Sequence, residues 1–293
     1  MTTITKDPST KVGTVSPAVP PTKSRSLTTT AIITWVAAGI FIVVLLGVLG
    51  SVLVSSVAQS WGGTWWPDGL TLDWFSQAWD TPGLQRSILV TFEVGFAVVF
   101  LALAIGVPAG YVLARRKFPG RGVVMLLLLF PVILPPLTYA VQLAALMYRV
   151  GLGGTLTAVI LVNLVPVLPL VVLITIPFVE QISPSVESAA KVFGANNYQL
   201  FIRVLVPLLM PAIVAAGVLS LVRVLGSFEL TFFVSNARTQ TLVVAIFGAM
   251  SDPGGPPASL TAAMTVFYMA IAFIGLAISL RFSNPAQALS ARQ

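Results

Sequence analysis

Neither cysteine nor histidine occurs anywhere in the 293 residues. Their absence removes thiolate nucleophiles, disulfides, imidazole bases and the usual ligands of zinc, copper and haem, so no cofactor, metal or catalytic residue is expected and the redox compartment is not legible. Charge is scarce too: 9% of residues are charged, where a soluble domain carries about a quarter. What fills the chain instead is apolar, 57% by composition with a mean hydropathy of +0.97, and such a chain has lipid as its solvent. The pI near 10.1 suits nucleic acid or a membrane protein whose basic residues gather in the loops on one side, and their positions decide between the two.

Residues 1–27 are rich in Thr, Ser, Pro and Lys without an apolar period and read as a disordered tail. Thr28 to Val57 is too long for a signal-peptide core of about 7 to 15 residues and reads as an uncleaved span, despite Lys23 and Arg25 before it. Five more apolar runs follow, at Ser87 to Ala114, Val123 to Tyr148, Thr155 to Val179, Val204 to Val234 and Ser259 to Leu280. The expectation is an all-α membrane protein of six spans over residues 28–284, with a short tail at 285–293. Lys6, Lys11, Lys23, Arg25, Arg115, Arg116, Lys117, Arg121, Lys191, Arg203, Arg281 and Arg292 fall on one side, which leaves Arg86, Arg149 and Arg238 for the other. The positive-inside bias then places both termini in the cytoplasm and accounts for the pI with no nucleic acid.

Trp61, Trp65, Trp66, Trp74 and Trp79 crowd the first outside segment, where a headgroup belt is favoured over ligand stacking and a docking surface for an outside partner is the further alternative. Prolines are frequent inside the spans: Pro131, Pro135 and Pro136 in the third, Pro166, Pro169 and Pro177 in the fourth, Pro207 and Pro211 in the fifth. Each removes a backbone hydrogen bond that lipid cannot replace, so these helices are expected to break. Three ionisable residues lie inside spans, Glu93, Arg223 and Glu229, and should face the bundle or a wet cavity. Arg223 and Glu229, six apart on one continuous helix, would point to different faces, whereas Glu93 is placed to pair with Arg223 across helices. A structural pair and a solute path are equally good accounts of the three.

The long inside loop, residues 180–203, is patterned like a folded element. Ser183 before Pro184 starts a helix, Glu187 suits its first turn, and Gly194 supplies a left-handed stop. Val186, Ala189, Ala190 and Phe193 fall on one apolar stripe, and Asn196 with Gln199 forms a capping-box pattern for a second helix. Small residues beside an aromatic peg suit a docking partner; packing on the chain's own span ends remains the other reading.

The run Ser188-Ala189-Ala190-Lys191-Val192-Phe193-Gly194, followed after nine residues by Val204-Leu205-Val206-Pro207, resembles the EAA loop of ABC importer permeases. Ser188 stands where that motif has an acid, with Glu187 just before it. The basic turn Ala114 to Arg121 and Pro135-Pro136 are also similar to the family, and Leu225 to Leu230 followed by Phe232 to Val234 looks most like its spermidine/putrescine branch, the second permease in particular. The resemblance implies a permease of the cytoplasmic membrane that forms a solute path with a second permease, receives two ATP-binding cassette ATPases and is served by an outside solute-binding protein. It assigns ATPase coupling to Val186, Glu187, Ala189, Ala190, Phe193 and Gly194, leaves Glu93, Arg223 and Glu229 as the candidate solute path, and makes a polyamine or related cation the expected solute, with a sugar, a polyol or ferric iron as alternatives. The chain has no G-x-x-x-x-G-K-[ST] phosphate loop, so hydrolysis belongs to another chain and this one is not an enzyme. A secondary transporter is the alternative of another class, and it would show inverted repeats that are not evident here.

Overall fold

Two residues of one helix, Gly106 and Gly110, set the central packing of the bundle. They lie on α3 (Leu84–Arg115) where it crosses α6 (Leu156–Gln181), and a Cβ at either glycine would stand 2.8 Å from an atom of Val171 or Thr175. Small residues let two membrane helices approach this closely, which gains the dispersion contacts that hold helices together in lipid. The computed structural model describes residues 29–282, so the tails expected on the cytoplasmic side, with Lys6, Lys11, Lys23, Arg25 and Arg292, lie outside the described residues. α1 (Thr29–Val57) is a 29-residue apolar helix that begins in a first unit ending at Leu49; everything from Gly50 onward forms a second unit, described next.

α6 is the most buried span, packed against α3 and against α9 (Met210–Leu225) and α10 (Glu229–Val234). α12 (Ala258–Phe282) completes the long helices, packing on α9, on the short amphipathic α2 (Asp73–Asp80) and on α11 (Leu242–Ser251). Neither α2 nor α11 was expected from the apolar runs, because both are shorter than a span. α11 is pinned by a buried bond from the Leu242 amide to the Thr91 hydroxyl at 2.9 Å.

Proline does not act uniformly. The expected third span is broken into α4 (Arg121–Ile133) and α5 (Leu137–Arg149), which meet at 101° around Leu134, Pro135 and Pro136. The residue before a proline is pushed out of helical geometry, and Leu134 is extended at φ −71°, ψ 140°. The expected fifth span is bent by 72° at Leu209, between α8 (Asn197–Leu208) and α9, and interrupted again before α10. α6, by contrast, runs unbroken through Pro166, Pro169 and Pro177, which corrects the expectation of a break there. Packing by α3, α9 and α10 on several sides holds this helix in line where a lipid-facing one would kink.

The connections sort to two ends. At one, Arg121 of α4 reaches Glu180 of α6 at 3.6 Å. At the other, Asn236 donates to the Gly154 carbonyl at 2.9 Å and Arg86 to the Arg238 carbonyl at 3.4 Å. The tryptophans of residues 58–80 divide by role. Trp74 donates to the Ala58 carbonyl at 2.8 Å and Trp79, about half exposed, lies 6.0 Å from the ring of Phe267; Trp61 is about half exposed too, whereas Trp65 is fully exposed and Trp66 largely so.

Candidate functional site: an exposed loop tip and a charged cavity

The loop after α6 folds into two helices joined by a glycine turn. Ser183 caps α7 (Pro184–Val192) by accepting from the Ser185 amide. The helix ends in a Schellman turn: Gly194 at φ +84° donates to the Lys191 carbonyl at 2.9 Å and Ala195 to the Ala190 carbonyl at 3.0 Å. Asn196 and Gln199 then exchange capping-box bonds of 2.8 and 3.1 Å and start α8, which loosens at once into a π-helical stretch over Leu200–Leu205.

This local geometry splits the apolar stripe. Ala190 turns inward and packs on the main core, with Val186 half-buried on the same side. Ala189 and Phe193 turn outward, and Phe193 is 90% exposed. Val192, which the stripe left out, is 84% exposed beside it, and Tyr198 of α8 is exposed as well. The exposed tip is therefore an apolar pair at the helix terminus. The stripe pattern missed Val192 because, six residues after Val186, it lies about 240° round the helix and so on another face of the last turn.

Glu187 turns inward as well, into a cluster that the sequence did not reveal. Its carboxylate accepts from Arg115 Nε at 2.6 Å and from the Tyr111 hydroxyl at 2.7 Å, while Arg115 Nη2 donates to the Ile182 carbonyl at 2.6 Å. Arg115 and Glu187 keep only 16% and 14% of their side-chain surface. Arg115 had been legible only as a base in a loop, and the fourfold spacing from Tyr111 to Arg115 was the available hint that both lie on one face of α3.

The second site is a cavity of about 230 Å³ between α5, α6, α9 and α10. Pro136, Asn163, Pro166, Arg223, Ser227 and Glu229 line it. Arg223 and Glu229 reach one cavity because the helix stops at Gly226 and restarts at Glu229, so their separation no longer follows a continuous helix; this corrects the expectation of different faces. The guanidinium of Arg223 also lies beside the Tyr139 hydroxyl. Asn163 is buried, donates to the Val159 carbonyl at 2.9 Å and to the Thr231 hydroxyl at 3.1 Å, and lines the cavity. Glu93 is not in this group. It pairs with Arg86, seven residues earlier on α3, at 3.3 Å, and not with Arg223, because both turn toward the end of the bundle where Arg86 meets Arg238.

The chain is similar to subunits of known transport systems. The family described as "Binding-protein-dependent transport system inner membrane component" matches residues 106–285, which include the broken α4–α5 pair, the loop tip and the cavity. The chain is 30% identical over 72% of its length to the sulfoquinovosyl glycerol transport system permease protein SmoH of Agrobacterium fabrum, covering 74% of that protein. It is 29% identical to the molybdenum transport system permease protein ModB of Escherichia coli over 66% of its own length and 91% of that protein's. Among solved structures, a bacterial ABC transporter that imports the acidic polysaccharide alginate has a chain with the same fold, at a TM-score of 0.72 and 18% identity, covering 89% of this chain and 99% of that one. With more than half of its length matched, the chain belongs to the family of binding-protein-dependent transport system inner membrane components, multi-pass permeases of ABC importers.

Proposed function

We propose that this protein is the permease subunit of an ATP-driven importer, that residues 180–203 receive an ATPase on the cytoplasmic side, and that both termini face that side. The observation that carries the reading is the tip formed by Val192 and Phe193: two large apolar side chains at 84% and 90% exposure, held out by a rigid helix end and lying inside the family-matched residues. Apolar pegs of this kind anchor protein interfaces, and water is a poor solvent for them. The partners that complete the machine are a second permease, two ATP-binding cassette subunits and an outside solute-binding protein. The transport relatives and the ABC-transporter fold support that assembly, and family membership argues against an ion-driven secondary transporter.

The solute passes the cavity that holds Arg223 and Glu229. A polyamine, the solute expected from the fifth span, needs uncompensated negative charge in a low-dielectric path. Glu93 is instead paired with Arg86, and Glu229 shares its cavity with Arg223, so neither acid stands alone. Hydroxyl and amide groups between one cation and one anion suit a neutral hydroxylated solute such as a sugar or polyol, and a relative named for melibiose, raffinose and stachyose import accords with that choice.

The test is co-purification. Tagged protein taken from membranes in mild detergent should bring an ATPase and a second permease, and Phe193→Asp should lose the ATPase while the permease keeps its melting temperature. Full retention of the ATPase by Phe193→Asp would refute the docking assignment. The molecule released from the co-purified binding protein identifies the solute, and a polyamine or an oxyanion there would replace the sugar reading.

A further inference from the structure

Arg115 joins three elements at one point. It is the last residue of α3, it donates to the Ile182 carbonyl at the end of α6, and it holds Glu187 in the first half of α7. Tyr111, one turn back on α3, donates to the same carboxylate and lies 5.9 Å from the ring of Phe201 on α8, so both loop helices touch the foot of α3. Besides this cluster and the longer, half-exposed Arg121–Glu180 pair at its start, the loop is attached to the bundle by soft apolar packing, notably Ala190 and Phe201. Apolar contacts slide and repack, whereas a mostly buried, charge-assisted pair of 2.6 Å resists both stretching and rotation.

We propose that Arg115, Glu187 and Tyr111 form a strut that carries movement of the docked loop into α3, with Arg115 as a positioning residue of the transport cycle. This rests on the permease reading above. α3 is suited to pass the movement on, since Gly106 and Gly110 seat it tightly on α6 and Gly95 meets Leu221 of α9, the helix that also carries cavity-lining Arg223. An acid displaced by one residue from the family's acidic position thus acts within this chain: Ser188 at that position faces outward, and Glu187 faces α3.

The experiment replaces the pair by apolar groups, Arg115→Met together with Glu187→Leu, since a buried ion pair exchanged whole for apolar side chains leaves stability nearly unchanged. Melting temperature and ATPase content should match the wild type, while solute moved per ATP hydrolysed in proteoliposomes falls about tenfold, the usual size of a coupling between sites. Normal transport per ATP in the folded double variant would overturn the strut. Should that variant fail to fold, Tyr111→Phe and Glu187→Gln decide by the same ratio. Wild-type protein that brings no ATPase would overturn the permease reading instead; the strut is then judged by hydrogen exchange in α7, expected to be about tenfold faster in the double variant and, if unchanged, fatal to it.

Discussion

Asn163 Nδ2 of α6 donates to Thr231 Oγ1 of α10 across 3.1 Å in a fully buried setting, and this bond holds the helix restart at Glu229 against the most buried span. Asn163→Ala should leave the Thr231 hydroxyl poorly satisfied and cost about 1 to 2 kcal/mol, read as a lower melting temperature in detergent. Because the bond positions a cavity wall, solute uptake should fall further than the loss of folded protein explains. An unchanged melting temperature would show that α10 is held by other contacts.

Gly110→Ala forces a methyl to within 2.8 Å of Thr175 and 3.1 Å of the Val172 carbonyl, so α3 and α6 must separate, at about 1 to 3 kcal/mol. Gly122→Ala meets nothing within 4 Å and lies in the first turn of α4, where alanine is the better helix former, so it should be neutral or gain up to about 1 kcal/mol. The pair should therefore move melting temperature in opposite directions or differ clearly in size. Equal effects would contradict the close crossing.

Ala190→Asp and Phe193→Asp separate two roles within one stripe. Ala190 packs inward, so the aspartate there places a charge against the core and should lower yield and melting temperature by an amount that reflects about 2 kcal/mol or more. Phe193 is exposed, so its substitution should spare stability and remove the ATPase. Comparable stability for the two variants would mean that the stripe is not divided.

Gly194→Val tests the turn itself. Nothing lies within 4 Å of its Cβ position, so the penalty comes from φ +84° alone, about 1 to 2 kcal/mol for a residue with a side chain and more for a β-branched one. α7 should fray and the tip swing, leaving ATPase bound while ATP turnover loses its link to uptake. Ratios of hydrolysis to uptake in proteoliposomes measure this, and a normal ratio would count against a fixed tip angle.

Orientation is open to direct labelling, because a chain without cysteine needs no background removal. Leu70→Cys, at an exposed position, should react with an impermeant maleimide in intact cells, whereas Val12→Cys, Phe193→Cys and Ala288→Cys should react only after the cells are opened. Labelling in the reverse order would invert the proposed topology.

Amino-acid order alone was enough to place the long helices, since a bilayer demands about 20 apolar residues per crossing and nothing else in the chain supplies them. It also determined both ends of α7, because Ser183, Pro184, Gly194 and the Asn196–Gln199 pair act on backbone groups within a few residues of themselves. What only tertiary structure decided was the outcome of contacts between distant residues. Pro135 and Pro136 broke a helix and Pro166 did not, according to what packed around each. Arg223 came to share a cavity with Glu229 because the helix between them stops, and Glu93 found Arg86 at its own end of α3. Arg115 and Glu187, 72 residues apart, met only when α3 and α6 had crossed, and no local pattern in either segment encodes a partner at that separation.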